Sequence, residues 1–484
     1  MQQPFVDLHC HPAMKPYGQS FKLTPVGQNT VNRRKKNSIW HYDPPNLFER
    51  ALQLLCGISK FTQSDCATLA YGNTRIVCAS LYPIEKGFFR NDLGTGIVSD
   101  LANCFITSVS RQRVDYIQSI SNYFDDLVNE RNFYLQLSEK VINTDAGSYT
   151  YKVVSNYQQI QDHLSRGENI SGNTVFIVFT IEGMHAINTL YNEQGDADEA
   201  ELLARTIEIK QWDHPPFFIT FAHHFFNHLC GHARSLTQLV GNMTDQSFGI
   251  NTGFTPLGHK VLKTLLSQDN GPRIYIDIKH MSAQSRTEYY QVLRDEYPVD
   301  KIPVIVSHGA CNGLRSAAEP VLDNIETGRK MLQEDINFYD DEIITIAASK
   351  GIFGIQLDER RIASAATLKE IKHAIPMNKI RHYRAELVWN QVRHIIELLD
   401  SRELFAWDCI AIGSDFDGVI NPLNGYLTAE TFPHLQEYLE RYIHNYMETD
   451  GKTILHTYNQ VSPSEAVNRI FSSNAMEFMK QWFK

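Results

Sequence analysis

What the sequence lacks narrows its chemistry first. Positive charge is not in excess: 45 Lys plus Arg against 55 Asp plus Glu leave a formal net charge of −10, so a phosphate backbone or an anionic membrane repels the chain instead of steering it in. Nucleic acid is therefore not an expected partner. The one basic run, Arg33-Arg34-Lys35-Lys36, sits among polar residues and reads as a solvated loop. No stretch approaches the roughly 18 apolar residues of a membrane span, and the N-terminus lacks the basic-then-apolar pattern of a signal peptide. The expectation is a cytoplasmic protein with no membrane span. The eight cysteines include no C-x-x-C pair, which argues against a disulfide framework and against a thiolate zinc site. Repeats, low-complexity tracts and a G-x-S-x-G nucleophile motif are all missing. Gly94 and Gly96 in "LGTGI" lack the third glycine and the preceding strand of a phosphate-binding loop.

What is present is an alternation. Eight short β-rich apolar runs recur: Phe5 to Leu8, Arg75 to Leu81, Thr174 to Ile181, Phe217 to Ala222, Arg273 to Ile278, Ile302 to Val306, Gly351 to Leu357 and Cys409 to Ile412. Between them lie segments with helical periodicity, among them "PLGHKVLKTLLSQ", "DDEIITIAASKG" and "LVWNQVRHIIELL". Near-continuous apolar strands need helices outside them, so the pattern predicts an α/β fold, a (β/α)8 TIM-type barrel. A barrel needs only about 250 residues, and the surplus of the 484 falls near 13–72, 83–172, 315–337 and 359–386. Each stretch follows a predicted strand, which makes it a long loop or extra helices inserted on the C-terminal face of a single hydrolase barrel domain, 1–484.

The residues that close the strands carry the chemistry. His9 and His11 follow the first, Glu182 the third, His223 the fourth, His280 the fifth, His308 the sixth and Asp415 the eighth. One such residue is unremarkable, since it can simply meet water or a loop carbonyl. Six strand ends of this kind, converging on one barrel rim, suit a divalent ion, because neutral imidazole and carboxylate are the ligands zinc and its relatives take. Residues i and i+2 of a strand share a face, so His9 and His11 can grip one ion while Cys10 points away. His224, His228 and His232 in "HHFFNHLCGH" would share a face on a helix, but without a matching carboxylate they read as loop or surface histidines. Asp417 reads as a loop support.

In order along the chain, "VDLHCHP", "TIEGMHAI", "FFITFAHH", "NTGFTPLGHKVLKTLLSQ" with "IYIDIKHMS", "PVIVSHGACNGL", "IAIGSDFDGV" and "FSSNAMEFMKQWF" resemble the motifs of the membrane (renal-type) dipeptidases of the amidohydrolase superfamily. The resemblance implies two divalent metal ions, zinc foremost: His9 and His11 hold one, His280 and His308 the other, and Glu182 bridges them. It also implies that His223 contacts the substrate and the tetrahedral intermediate, and that Asp415 moves the proton. The chain departs from the family at His11, where the family has aspartate. The arginine that the family uses for a substrate carboxylate has Arg315 as its nearest counterpart, with Arg329, Arg360 and Arg361 as rivals. The expected activity is hydrolysis of the amide bond of dipeptides or similar small acyl-amino acids by a metal-bridging hydroxide, on a peptide-like small molecule, in a chain able to form a homodimer. The alternatives are a related amidohydrolase acting on a lactone, an N-acyl compound or a phosphoester, and, last, a non-catalytic metal-binding barrel.

Overall fold

The computed structural model describes residues 3–20, 36–56, 59–90, 96–144, 147–165, 173–188, 198–236 and 244–484. Arg33, Arg34, Lys35 and Gly94 lie outside them, as do parts of the 13–72 and 83–172 insertions; Lys36 is exposed. The strands are β1 (Phe5–Cys10), β2 (Thr74–Leu81), β3 (Ile142–Thr144), β4 (Gly147–Val154), β5 (Thr174–Glu182), β6 (Phe218–Thr220), β7 (Tyr275–Asp277), β8 (Ile305–Gly309), β9 (Ile352–Ile355) and β10 (Ile410–Ile412). Eight of them run parallel in the order β1-β2-β5-β6-β7-β8-β9-β10. These are the eight predicted runs, and the (β/α)8 barrel is the observed fold.

Burial explains why these runs are strands. Every residue of β1, β2 and β5 is buried, the polar Asp7, His9 and Glu182 included, as expected where helices cover one side and the barrel interior the other. Closure between β10 and β1 is made at the strand ends, not by a long ladder. His11 N donates to Phe416 O at 2.9 Å and Asp415 N to His9 O at 2.9 Å. Asp7 adds a side-chain clasp, its Oδ1 accepting from Ser414 N at 2.9 Å and its Oδ2 from Ser414 Oγ at 2.5 Å. The hydrogen bonds that shut the barrel thus also fix the residues on either side of the site.

The helices form where the periodicity predicts. Pro256–Leu266 starts at Thr255, whose side chain accepts from Gly258 N at 2.9 Å with proline in the first turn. It buries Val261, Leu262, Leu265 and Leu266, and truncating Leu262 to alanine would cost about 2–5 kcal/mol. Asp340–Ala348 forms all but the last three residues of "DDEIITIAASKG", and Met377–Asp400 contains "LVWNQVRHIIELL". No helix among the described residues is long and apolar enough to cross a membrane.

One expectation needs correction. The 83–172 insertion is not confined to loops and helices on the C-terminal face: it contains an antiparallel hairpin, β3 with β4, and β4 pairs in parallel with the first half of β5 from Thr150↔Thr174 to Val154↔Val178. β6 meets β5 only at Ile181 and Glu182, which leaves the earlier edge of β5 for β4. The pairing satisfies backbone groups that would otherwise be left open.

Candidate active site

Four imidazoles converge on one carboxylate. Glu182, at the end of β5, has Oε1 3.4 Å from His9 Nε2, 3.4 Å from His308 Nε2 and 3.5 Å from His280 Nε2, and Oε2 3.1 Å from His11 Nε2. All five side chains are buried. The histidines form two pairs: His9 and His11 Nε2 lie 3.2 Å apart, His280 and His308 Nε2 3.3 Å apart. Two nitrogens bound at zinc's Zn–N distance of about 2.0–2.1 Å in tetrahedral geometry stand about 3.3–3.4 Å apart, so each pair has the spacing of two ligands on one ion. Donor type and spacing both fit divalent metal. Asp415 Oδ1 joins the first pair, 3.8 Å from His9 Nε2 and 3.7 Å from His11 Nε2.

The layer beneath sets the tautomers. Ser307 Oγ donates to Asp277 Oδ2 at 2.6 Å and so accepts from the Nδ1–H of His308 (2.8 Å) and of His9 (3.2 Å). His11 Nδ1 lies 3.2 Å from the Ser80 carbonyl, which can only accept. His9 and His308 therefore keep the proton on Nδ1 and turn the Nε2 lone pair inward, as ligating histidines are oriented, and the Ser80 carbonyl likewise points Nε2 of His11 inward. Asp277 is saturated: besides Ser307 Oγ it accepts from Thr220 Oγ1 at 2.6 Å, Ser307 N at 3.0 Å and Lys279 N at 3.1 Å, tying the ends of β6, β7 and β8 together.

Burial lowers the pKa of His9 and sends those of His280 and His308 well below the ordinary value, keeping these rings neutral. Burial acts the same way on His11, but Glu182 and Asp415 outweigh it and hold His11 at about 9. Burial and the charge of Glu182 raise Asp415 to about 8. The backbone is strained at two of these positions, with φ +67° at His280 and +60° at Asp415, a region that residues with a side chain seldom occupy. Gly183 follows Glu182 at φ +90°, where a Cβ would come within 2.4 Å of His185 Nδ1 and 3.1 Å of His223 Cβ; only glycine fits.

Two residues absent from the sequence reading occupy the strand ends it left blank. After β2 comes Glu85, fully buried, which accepts from His223 Nδ1 at 2.7 Å, Tyr82 OH at 2.9 Å and His224 N at 3.1 Å. It turns His223 Nε2 toward Glu182 Oε2, 3.6 Å away, and with Glu182 it outweighs burial to raise the pKa of His223. After β9 comes Gln356, whose Nε2 donates to Asp415 Oδ2 at 2.7 Å. The signal is in the pattern itself: six of eight predicted strands end in a polar group, and Glu85 and Gln356 stand just after the other two, β2 and β9. Lys279, next to His280, was also missed; burial and Arg361 push its ammonium down to about 7.

Arg315 is not brought to the site. Its side chain is 42% exposed and held by Asp323, at 2.5 and 2.8 Å, and by Glu319 at 2.8 Å; those carboxylates already satisfy it. Arg329 is exposed. Of the rivals, Arg360 and Arg361 line the cavity beside His280 and Asp415. Residues 223–236 form no helix, so His224, His228 and His232 share no helical face. His232 is bonded to the carbonyls of Ala233 and Phe248, whereas the His224 ring packs 3.7 Å from that of His223. Cys10 is fully buried and its thiol pKa is raised well above the ordinary value, and Asp417 supports the loop through Gln63 N (3.0 Å), Ser64 N (2.8 Å) and Lys15 Nζ (2.9 Å).

A family model described as membrane dipeptidase (peptidase family M19) matches residues 218–458. No curated protein matches the chain. Among solved structures, a metallo peptidase from Rhodobacter sphaeroides liganded with a phosphinate mimic of the dipeptide L-Ala-D-Ala aligns over 100% of both chains at 12% identity with a TM-score of 0.50, a likeness of fold. The dipeptidase AC, a metallo peptidase of family M19, aligns at 13% identity and TM-score 0.46 over 90% of this chain and 94% of its own. The probable dipeptidase PvdM from Pseudomonas aeruginosa aligns at 13% and 0.46 over 86% and 88%. Over residues 218–458 the chain belongs to the membrane dipeptidases, peptidase family M19, and that match supports a metal-dependent hydrolase.

Proposed function

We propose that the chain hydrolyses the amide bond of dipeptides or similar small acyl-amino acids, with His9, His11 and Glu182 holding one divalent ion and Glu182, His280 and His308 a second. The observation that carries this reading is the convergence of four Nε2 atoms within 3.1–3.5 Å of the Glu182 carboxylate. Zinc is the ion that imidazole with carboxylate suits first. When bound, the ions supply Lewis acidity and a nucleophilic water near neutral pH.

The chain's own groups do the rest. Asp415 takes the proton from the attacking water and returns it to the leaving amine, as a positioned acid/base must; a pKa raised to about 8 lets it hold that proton, and Gln356 fixes its other oxygen. His223, kept protonated on Nδ1 by Glu85, directs Nε2 at the oxygen that gains charge in the transition state. Burial of the whole cluster keeps bulk water from screening these interactions. Cys10, Cys66, Cys78, Cys104, Cys230, Cys311 and Cys409 are free, which supports a reducing, cytoplasmic setting. Dipeptide turnover and metal content, measured on one sample, test the reading: activity that disappears on metal removal and returns with divalent ion supports it, and full activity of metal-free protein overturns it.

A further inference from the structure

On the outside of the barrel, the helices Ala283–Glu296 and Asp340–Ala348 leave a groove of about 960 Å³ between them. Its floor is Tyr290, Leu293, Tyr297, Ile344 and Trp482, side chains that pack on the core but stay only partly covered. One end lies at Ala283 and Asp341, where the two helices begin. The other lies at Lys301 and Lys350, just ahead of the neighbouring parallel strands β8 and β9, which pair at Ile305↔Ile352. Val304 lines the groove four residues before His308, about 13 Å along an extended chain, and none of the lining residues belongs to the metal-ligand cluster.

The two ends differ in charge. Near the helix starts, Glu342 is held by Arg286 at 2.6 and 3.0 Å and by Tyr290 OH at 3.0 Å. At the opposite end Lys301 and Lys350 are exposed, and the acids just ahead of Lys301 are committed elsewhere: Glu296 to Lys263 at 2.8 Å and Asp300 to Arg273 at 2.6 Å. Both lysines hold left-handed backbone, φ +50° and +57°, where glycine or asparagine costs less. Two ammonium groups thus stand at one mouth of an apolar groove. We propose that the groove binds an amphiphile with a single apolar chain and a carboxylate head, the chain lying along Leu293 and Ile344 and the head between Lys301 and Lys350. An acyl chain brings no polar group that such a floor would leave unpaired. From Ala283 to Leu293 the helix runs about 15 Å, and the volume is that of a small-molecule site between helices. The site does not depend on the hydrolase reading.

Calorimetric titration of the purified protein with decanoate, butyrate and 1-decanol tests this, since none of the three contains an amide bond. Burial of the additional methylenes predicts that decanoate binds at least about tenfold more tightly than butyrate. Replacing both lysines, Lys301→Gln with Lys350→Gln, should weaken decanoate by about threefold to tenfold, the worth of two exposed charge contacts, and leave 1-decanol unchanged. Ala348→Trp fills the groove from an exposed helix position and should abolish the preference for the longer chain, with the fold intact by circular dichroism. Decanoate no tighter than butyrate, a chain-length preference that survives Ala348→Trp, or decanoate affinity unchanged in the double lysine variant would overturn the proposal. So would a dimer in solution that Ala348→Trp dissociates, because the groove would then belong to a second copy of the chain.

Discussion

Two tiers of buried acids lie one above the other at the barrel mouth, and they differ in what satisfies them. The lower tier, Asp7 and Asp277, accepts from backbone amides and hydroxyls: Ser414 N, Ser414 Oγ and His9 N for Asp7, and Lys279 N, Ser307 N, Ser307 Oγ and Thr220 Oγ1 for Asp277. The upper tier, Glu182 and Asp415, faces imidazole nitrogens at 3.1–3.8 Å, longer than most direct hydrogen bonds. Acids saturated by fixed donors join strands. Acids that face a ring of lone-pair donors across a gap are arranged for something placed between them. Sequence position alone does not separate the tiers, because Asp7 is only two residues from His9.

Substitutions in the two tiers should therefore fail differently. The largest effect is expected from Glu182→Gln, which removes the one charge all four imidazoles share: bound metal and turnover should both fall to background, and a variant that kept its metal would blur the distinction. Asp415→Asn should cost about 10²–10⁴-fold in kcat with metal retained, read by elemental analysis beside steady-state kinetics; wild-type kcat would remove Asp415 from proton transfer. Glu85→Gln weakens the orientation of His223 and should lower kcat by about 10–100-fold more than it changes KM. In the lower tier, Asp277→Ala leaves four buried donors unpaired and should lower stability by on the order of 3 kcal/mol, seen as a shift in the denaturation midpoint. The smallest effect belongs to Arg315→Ala, because an exposed guanidinium shared between surface acids contributes little; turnover and melting temperature should match the wild type.

The barrel was legible because its strands are buried on both sides and so appear as compact apolar runs such as "TRIVCASL" and "TVFIVFTIE". The hairpin was not. β4 buries Tyr149, Tyr151 and Val153 on one face, a two-residue alternation that becomes a strand only once the edge of β5 is available to it. Among the site residues, His9, His11, Glu182, His223, His280, His308 and Asp415 were visible as strand-end polar groups, and the structure brings all seven together. Glu85 had no local pattern to mark it, since its role depends on a contact with His223, 138 positions away. Arg315 stands nearest to His308 in the sequence among the candidate arginines, but Asp323 and Glu319 hold its guanidinium at the surface.

Metal stoichiometry tests the central claim most directly. Elemental analysis of the purified, divalent-ion-saturated wild-type chain should find about two ions per chain, falling to about one when His280 and His308 are both replaced by alanine, with the fold intact by circular dichroism. A wild-type chain that binds no ion, or a double variant that still binds two, would contradict the account.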